Sequence, residues 1–376
     1  MSRILALMSG GVDSSVTAYL LKKAGHEVTG MTLKLFEVAS EGPGCCGSPK
    51  DVYDAKECAR ALGIPHYTFN ESEEFRRHVI DVFKNAYVAG ETPNPCVECN
   101  RSMKFGHILE LAKAWGFDAV ATGHYARVRD LELSGGRGRM GLFKAKDHKK
   151  DQSYFLYMLG EEQLRSVVFP VGDLTKDEVR ALASEAGLPT ASKPDSQDIC
   201  FTSSSGEGYR NLLGAEDGAG PIVELTSGRV LGRHGGYFNF TVGQRGGLGV
   251  AVGRPLYVTG IETATRTVYV GEDEHLMRAN IIVRDLCWVN PGEIVQREIE
   301  AGVKIRYKSP EARATLALLG SGVPVTPLAG PERSTAPVNA KTCLVTFDEP
   351  QRAPAPGQFA VFYQGERVVG GGKITK

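Results

Sequence analysis

The chain has 376 residues, with 44 Lys+Arg balanced by 44 Asp+Glu, 42% hydrophobic and 23% charged residues. This is globular composition at a length for two to three domains of roughly 150 residues, which excludes a disordered chain, a collagen and a uniformly basic nucleic-acid coat. No stretch approaches about 18 consecutive apolar residues, and Ser9-Gly10-Gly11 cuts the N-terminal apolar run too soon for a signal peptide, so a soluble cytoplasmic protein is expected. A neutral balance admits a nucleic-acid partner only through a local patch.

In chain order, Ile4 to Met8 reads as a buried strand, and Val12, Val16, Tyr19 and Leu20 recur at helical spacing. Glu27 to Leu33 reads as a second strand. Asp51 to Leu62 reads as a helix closed by Gly63 and Pro65, and His66 to Phe69 as a third strand. Helical patterns follow over Glu73–Ala89 and Ser102–Trp115, then an apolar strand from Phe117 to Thr122. Thr175 with Glu178 three residues on is a capping box for a helix to Ala186. Strand–helix alternation predicts a parallel sheet with helices on both faces. After Cys200 the composition changes, with a boundary at Ser203-Ser204-Ser205-Gly206. Short strands are then expected at Tyr237–Val242, Leu256–Ile261, Thr267–Val270, Ala301–Tyr307, Cys343–Phe347 and Gln358–Tyr363, with a loop over 320–340. The expected fold class is α/β: a parallel-sheet domain over 1–203, a small β-rich central domain over 204–280 and a C-terminal β-barrel over 281–376.

Ser9-Gly10-Gly11-Val12-Asp13-Ser14-Ser15 joins the first strand to the first helix. Glycines let the backbone turn and approach a ligand, and a helix N-terminus offers unpaired N–H groups to an anion. Ser9, Ser14 and Ser15 add hydroxyl donors. Asp13 in an anion site calls for a cation, most simply Mg2+. No Gly-x4-Gly-Lys-Ser/Thr string exists, so this is not a Walker loop. The string resembles the PP-loop of the ATP pyrophosphatases, which split ATP to AMP and pyrophosphate, adenylate a carbonyl oxygen and let a nucleophile displace AMP. That resemblance alone does not choose among amidating and thiolating members.

The eight cysteines stand at 45, 46, 58, 96, 99, 200, 287 and 343. Thr92-Pro93-Asn94-Pro95-Cys96-Val97-Glu98-Cys99-Asn100 is a Pro-punctuated loop bearing a Cys-x-x-Cys pair, followed by Lys104 and Phe105, which open a helix. Asp195 to Phe201 encloses Cys200, and Lys150-Asp151-Gln152-Ser153-Tyr154-Phe155 stands between the two cysteine sites. A thiolate near a lysine or a helix N-terminus has a lowered pKa. Structural zinc wants two close pairs, and one is evident. Cys58, Cys287 and Cys343 read as core residues; Cys45 and Cys46, in a Gly-Pro-rich loop, are expected to have no essential role.

These strings, with Ala121-Thr122-Gly123-His124-Tyr125, Phe169-Pro170-Val171-Gly172, Thr241-Val242-Gly243-Gln244-Arg245, Pro356-Gly357-Gln358 and Gly370-Gly371-Gly372, make the chain resemble the bacterial tRNA-specific 2-thiouridylases over nearly its full length. The resemblance implies an adenine nucleotide alpha hydrolase-like first domain and a tRNA-uridine 2-sulfurtransferase. ATP activates the C2 oxygen of the wobble uridine in the tRNAs for Lys, Glu and Gln, and sulfur displaces AMP. It implies ATP contacts at Leu7, Met8, Ser9, Gly10, Gly11, Val12, Asp13, Ser14, Met31 and Gly123. It implies a persulfide on Cys200 and makes Cys99 the nucleophilic partner, able to form a disulfide with it. Asn94, Pro95 and Cys96 fall where the target base is met, and Lys150, Asp151, Gln152, Arg306 and Tyr307 at tRNA contacts. The partners implied are the tRNA anticodon stem-loop and a sulfur donor, a cysteine desulfurase or sulfur carrier. In one respect the chain departs: many members carry Asp where Cys96 stands. Cys96, Cys99 and Cys200 form a three-cysteine set of the kind that holds a 4Fe-4S iron–sulfur cluster in related thiolases, so a persulfide route and a cluster route both stand open.

Between Arg127 and Lys150 eight Lys/Arg face three Asp/Glu, with Gly135-Gly136 as a hairpin tip; such a patch suits phosphates. Lys304, Arg306, Tyr307 and Lys308 make a weaker patch with a stacking candidate. Two other classes remain: an amidating PP-loop enzyme, which would need a glutaminase partner and no cysteines, and a non-catalytic tRNA-binding or iron–sulfur sensor protein, to which loss of Asp13 would be indifferent.

Overall fold

The computed structural model describes residues 1–36, 48–131, 138–195, 199–201, 218–294, 296–320 and 340–375. The chain packs as two compact units. One takes in Met1–Asp81, Pro95–Gly208 and Glu366–Val368, the other Val82–Asn94, Tyr209–Gly365 and Val369–Lys376. Cys45, Cys46, the 203–206 boundary, the hairpin tip and the loop within 320–340 fall outside the described residues, apart from its ends.

The first unit is built on five parallel strands: β1 (Arg3–Leu7), β2 (Glu27–Lys34), β3 (His66–Asn70), β4 (Ala119–Ala121) and a short strand Val167–Val168, in the order β3-β2-β1-β4-Val167–Val168. β1 is central, and its alternation sends Ile4, Ala6 and Met8 into one core with Val16, Ala55, Cys58, Ala59, Val179 and Ala183. That core receives the helices Val12–Lys23, Pro49–Leu62 and Lys176–Glu185. The second of these begins where Ser48 Oγ accepts from Asp51 N at 3.1 Å, with Pro49 opening the helix, and ends at Gly63 with φ 58°. The third has the expected capping box, Thr175 and Glu178 each accepting from the other's backbone N–H.

Two helical expectations resolve differently in detail. The 73–89 pattern is α-helical over Ser72–Phe75 and Asp81–Val88, with a π-helical stretch Arg76–Ile80 between them. The cysteine pair does not lie on a loop. Pro95–Glu98 is already an α-helical turn, and Cys99 opens a π-helical stretch Cys99–His107 that runs into Ile108–Ala114. Proline at a helix start costs no hydrogen bond, because the first N–H groups have no intrahelical acceptor. The strands Ala126–Leu131 and Arg139–Lys144 form the expected basic hairpin, in register from Ala126↔Lys144 to Leu131↔Arg139.

In the second unit, Gly220–Glu224, Val230–His234, Tyr257–Glu262 and Thr267–Gly271 form a four-stranded sheet. The expected strand Tyr237–Val242 is instead a 3-10 turn, Tyr237–Asn239, whose aromatic rings are buried. The six strands Met277–Trp288, Glu298–Lys304, Ala312–Leu319, Thr342–Arg352, Phe359–Gln364 and Arg367–Ile374 close into an antiparallel barrel, the last pairing back to the first through Trp288↔Gly370 and Val283↔Ile374. Alternate residues such as Val283, Val303, Leu316, Val345 and Phe362 fill it. Cys343 is part of that core, whereas Cys287 is half-buried. Among the described residues no helix is long and apolar enough to cross a membrane.

Candidate active site

The loop between β1 and the helix Val12–Lys23 closes on itself through its serines. Ser14 Oγ and Ser15 Oγ each donate to Gly11 O at 3.0 Å, and Ser9 N donates to Ser14 Oγ at 3.1 Å. Two glycines make the turn sterically feasible. Gly10 has φ +74°, and a Cβ there would lie 2.3 Å from Asp51 O. Gly123, after β4, approaches so closely that a Cβ would stand 2.7 Å from Ser14 N. Lys193 holds the turn from outside, donating to Gly10 O at 2.9 Å and pairing with Asp51 and Asp54 at 2.7 and 2.5 Å.

Leu7, Met8, Ser9, Asp13, Ser14, Met31 and Gly123 line one cavity of about 210 Å³, with Thr32, Leu33, Leu35, Lys104, Thr122, His124 and Gln152 completing its wall. Seven of the ten expected nucleotide residues therefore meet in one place; Gly10, Gly11 and Val12 lie behind them in the turn. The mixture suits a nucleotide: apolar side chains from β2 on one side, N–H and hydroxyl donors at a helix N-terminus on the other.

Asp13 does have a cation, and it is one that the sequence reading missed. Lys176 Nζ lies 2.7 and 2.9 Å from the two Asp13 carboxylate oxygens and 2.7 Å from Asp195 Oδ1. Tyr125 Oη donates to Asp13 Oδ1 at 2.8 Å. Asp195 is also held by Lys150 at 2.7 Å and Arg180 at 3.1 Å. A signal was available: Lys176 is the first residue of its helix, where the dipole disfavours a cation. A carboxylate partner offsets that cost, and here there are two.

The cysteines occupy three different environments: Cys96 is exposed, Cys99 buried and Cys200 half-buried. Burial pushes the Cys99 thiol above its ordinary value, and Lys104 opposes that rise without overcoming it. The expected lysine-lowered thiol is thus reversed, because loss of hydration outweighs one nearby charge. Just after Cys200, Phe201 packs edge-on against Phe75 with centroids 5.8 Å apart. Among the described residues no group of three or more His, Cys, Asp or Glu side chains is placed to hold a metal ion. Cys96, Cys99 and Cys200 are accordingly not gathered as cluster ligands.

The Lys150-Asp151-Gln152 string is engaged internally. Lys150 pairs with Asp195. Asp151 is buried and accepts from Ala145 N, Ser153 N and Ser153 Oγ. Gln152 accepts from Tyr125 N at 3.0 Å and reaches the cavity. In the neighbouring basic patch, Arg127 pairs with Glu366, Arg129 with Asp173 and Lys146 with Glu178, which cancels much of its excess charge. In the second unit, Arg306 Nη2 donates to the carbonyls of Arg352 and Ala353, both at 2.8 Å, and Tyr307 follows it. Asn94 belongs to that unit, while Pro95 and Cys96 open the helix of the first.

His124 lies half-buried between the rings of Phe105 and Phe169 and shares a 2.6 Å hydrogen bond with Thr122. Burial, with Lys104 adding to it, holds its pKa well below 6.5, so the ring is neutral. Between that depressed value and 6.5 the unfolded chain binds the extra proton, so stability is lost as pH falls through this window. The melting temperature is expected to drop between pH 7.5 and 5.5, and less steeply in His124→Gln; equal slopes in thermal melts would show that the burial carries no linkage.

A Ser/Gly turn between a parallel strand and a helix N-terminus, backed by a glycine of the neighbouring strand end, defines an α/β nucleotide-binding domain of the PP-loop class. Family models agree: residues 2–204 match the tRNA methyl transferase HUP domain, 211–272 the tRNA methyl transferase PRC-barrel domain and 332–374 an aminomethyltransferase beta-barrel domain. The chain is 45% identical to the tRNA-specific 2-thiouridylase MnmA of Chloroflexus aurantiacus, covering 100% of this chain and 99% of that one. It is 44% identical to the protein of that name from Sorangium cellulosum, over 99% and 92%. A 4-thiouridine synthetase–RNA complex with bound ATP aligns over 53% of this chain and 44% of its own, at 18% identity and TM-score 0.35, too distant a likeness to carry weight. The chain belongs to the tRNA-specific 2-thiouridylase family, and so to the PP-loop, ATP-using enzymes of tRNA thiolation, which are sulfurtransferases.

Proposed function

We propose that this chain makes 2-thiouridine at the wobble position of the tRNAs for Lys, Glu and Gln. The uracil C2 oxygen attacks the α-phosphorus of ATP and pyrophosphate leaves. A carbonyl oxygen is a poor leaving group, and adenylation turns it into part of AMP, a good one. Cys200 carries sulfur as a persulfide, supplied by a cysteine desulfurase or sulfur carrier. Its terminal sulfur attacks C2, and the C2–O bond breaks with release of AMP. Cys99 thiolate then attacks Cys200 Sγ. The S–S bond breaks, the sulfur stays on C2, and the Cys99–Cys200 disulfide takes two electrons from an external thiol. Asp13 is the residue that would hold Mg2+, which neutralises phosphate charge when bound.

The observation that carries this reading is one shared wall. Ser9, Asp13 and Ser14 of the loop line the same cavity as Lys104, on the π-helical stretch that begins at Cys99. An anticodon-loop base is cheap to unstack and so can reach buried groups. In this proposal residues 1–203 perform the thiolation, 204–280 act as an adaptor and the barrel of 281–376 contacts tRNA. Asn94, Pro95 and Cys96 meet the base, and Lys150, Gln152, Arg306 and Tyr307 the anticodon stem-loop. Asp151, buried, would shape its loop without touching RNA.

The test incubates anaerobically purified protein with ATP, Mg2+, unmodified tRNA and a sulfur source, measuring AMP and 2-thiouridine together. Both are expected to rise in step, with 2-thiouridine reduced to background by Cys200→Ser. AMP release without tRNA, or no thiouridine under either sulfide or persulfide supply, would point instead to an amidating PP-loop enzyme.

A further inference from the structure

Lys176 sits between two carboxylates that come from segments far apart in the chain, the nucleotide loop and the stretch leading to Cys200. Its side chain is only 10% exposed. Its contact with Asp13 is to both oxygens, at 2.7 and 2.9 Å. A divalent cation on that carboxylate would need an oxygen at about 2.0–2.1 Å, so an ammonium in this position and a metal ion compete for the same place. The second partner makes the competition reversible. Asp195 also lies 2.7 Å from Nζ, so a Lys176 that gives up Asp13 still has a counter-charge and is not left buried alone. Asp195 is fixed in turn by Lys150 and Arg180.

We infer that Lys176 is a positioning residue that stands in for the metal on Asp13 and withdraws to Asp195 when a metal nucleotide arrives. The inference rests on the reading that the loop takes ATP with Mg2+. In the empty site Lys176 neutralises Asp13 beside Asp195; in the loaded site it passes that carboxylate to the metal.

The probe is Mn2+ alone, without nucleotide, titrated by the paramagnetic resonance signal of the free aqueous ion. Lys176→Met removes the competitor and leaves Asp13 bonded by Tyr125 and Asp195 by Lys150 and Arg180. It is expected to bind Mn2+ at least tenfold more tightly than the unaltered protein. Lys176→Arg, which keeps a cation there, is expected to show less than a twofold gain, and adding Asp13→Asn to Lys176→Met to cancel the gain. Unchanged or weaker binding in folded Lys176→Met, or a gain that survives loss of Asp13, would overturn the inference. A second readout needs no change at Lys176: saturating Mg2+ is expected to move the ¹³C resonance of its ε-methylene, and not to do so in Asp13→Asn. A resonance indifferent to Mg2+ would also overturn it. Neither measurement uses tRNA or sulfur, so a failed thiolation assay leaves both standing, while their failure beside intact thiolation removes only the role of Lys176.

Discussion

Gly10→Ala is expected to lower ATP-dependent turnover by at least a hundredfold and to destabilise the first unit as well. The two effects share one cause. At φ +74° a side chain costs about 1–2 kcal/mol in backbone strain. The added Cβ would also stand 2.3 Å from Asp51 O, a backbone atom at a helix start that cannot swing aside. Relieving such overpacking typically costs about 1–3 kcal/mol more. The relief available is to move the turn, and the turn carries the Gly11 carbonyl that accepts from Ser14 and Ser15. Lys193 would lose its 2.9 Å bond to Gly10 O in the same movement. Thermal melts and nucleotide titration of the variant measure the two effects separately. Near-normal ATP affinity in a folded variant would mean that the turn is not the phosphate site.

The second large effect concerns Cys99. Burial pushes its thiol above the ordinary cysteine value, so the thiolate is the minor species near neutral pH. The neutral form is the favoured one. A step that needs the thiolate therefore accelerates as pH rises, close to tenfold per unit, until the raised pKa is reached. Lys104 is the charge that restrains the rise. Lys104→Met is expected to shift the pH–rate profile of thiolation to the alkaline side and to cut the rate at pH 7.5 by about tenfold, whereas Lys104→Arg should stay near the unaltered enzyme. Single-turnover rates between pH 6.5 and 9.5 give the profile. A profile that is flat, or unmoved by Lys104→Met, would remove Cys99 from the rate-determining chemistry.

The parts of the fold that were legible in the sequence are those governed by local rules. Five buried residues from Ile4, a capping box at Thr175 and a glycine after Leu62 each define an element by periodicity or hydrogen-bond chemistry, and each element is there. The nucleotide loop was legible because glycine and serine at that spacing have few other uses. What was not legible depends on contacts distant in sequence. Tyr237 to Val242 has strand-forming composition, yet Tyr237 sits in a 3-10 turn whose hydroxyl donates to Val88 O at 2.7 Å, and Phe240 packs against His234. π-Helical stretches leave no composition signal. The Lys176 bridge joins residues 163 positions apart; the lysine at a helix start marks one end of it, and nothing near Asp13 marks the other. The Cys99 environment was misjudged because the neighbouring lysine is visible in the sequence and the burial is not.

The strand Arg367–Ile374 serves both units. Arg367 and Val368 pair with Phe143 and Leu142 of the hairpin in the first, and Gly370 to Ile374 close the barrel ring of the second. Translation delivers residues in order, so neither unit has all its strands until this segment has left the ribosome. A ring closed by its last and first strands is also a high-separation contact, the slow kind to form. Until then the barrel strands carry open edges, which are templates for wrong pairing. A chain halted before residue 366 would lack this strand's pairings in both units at once.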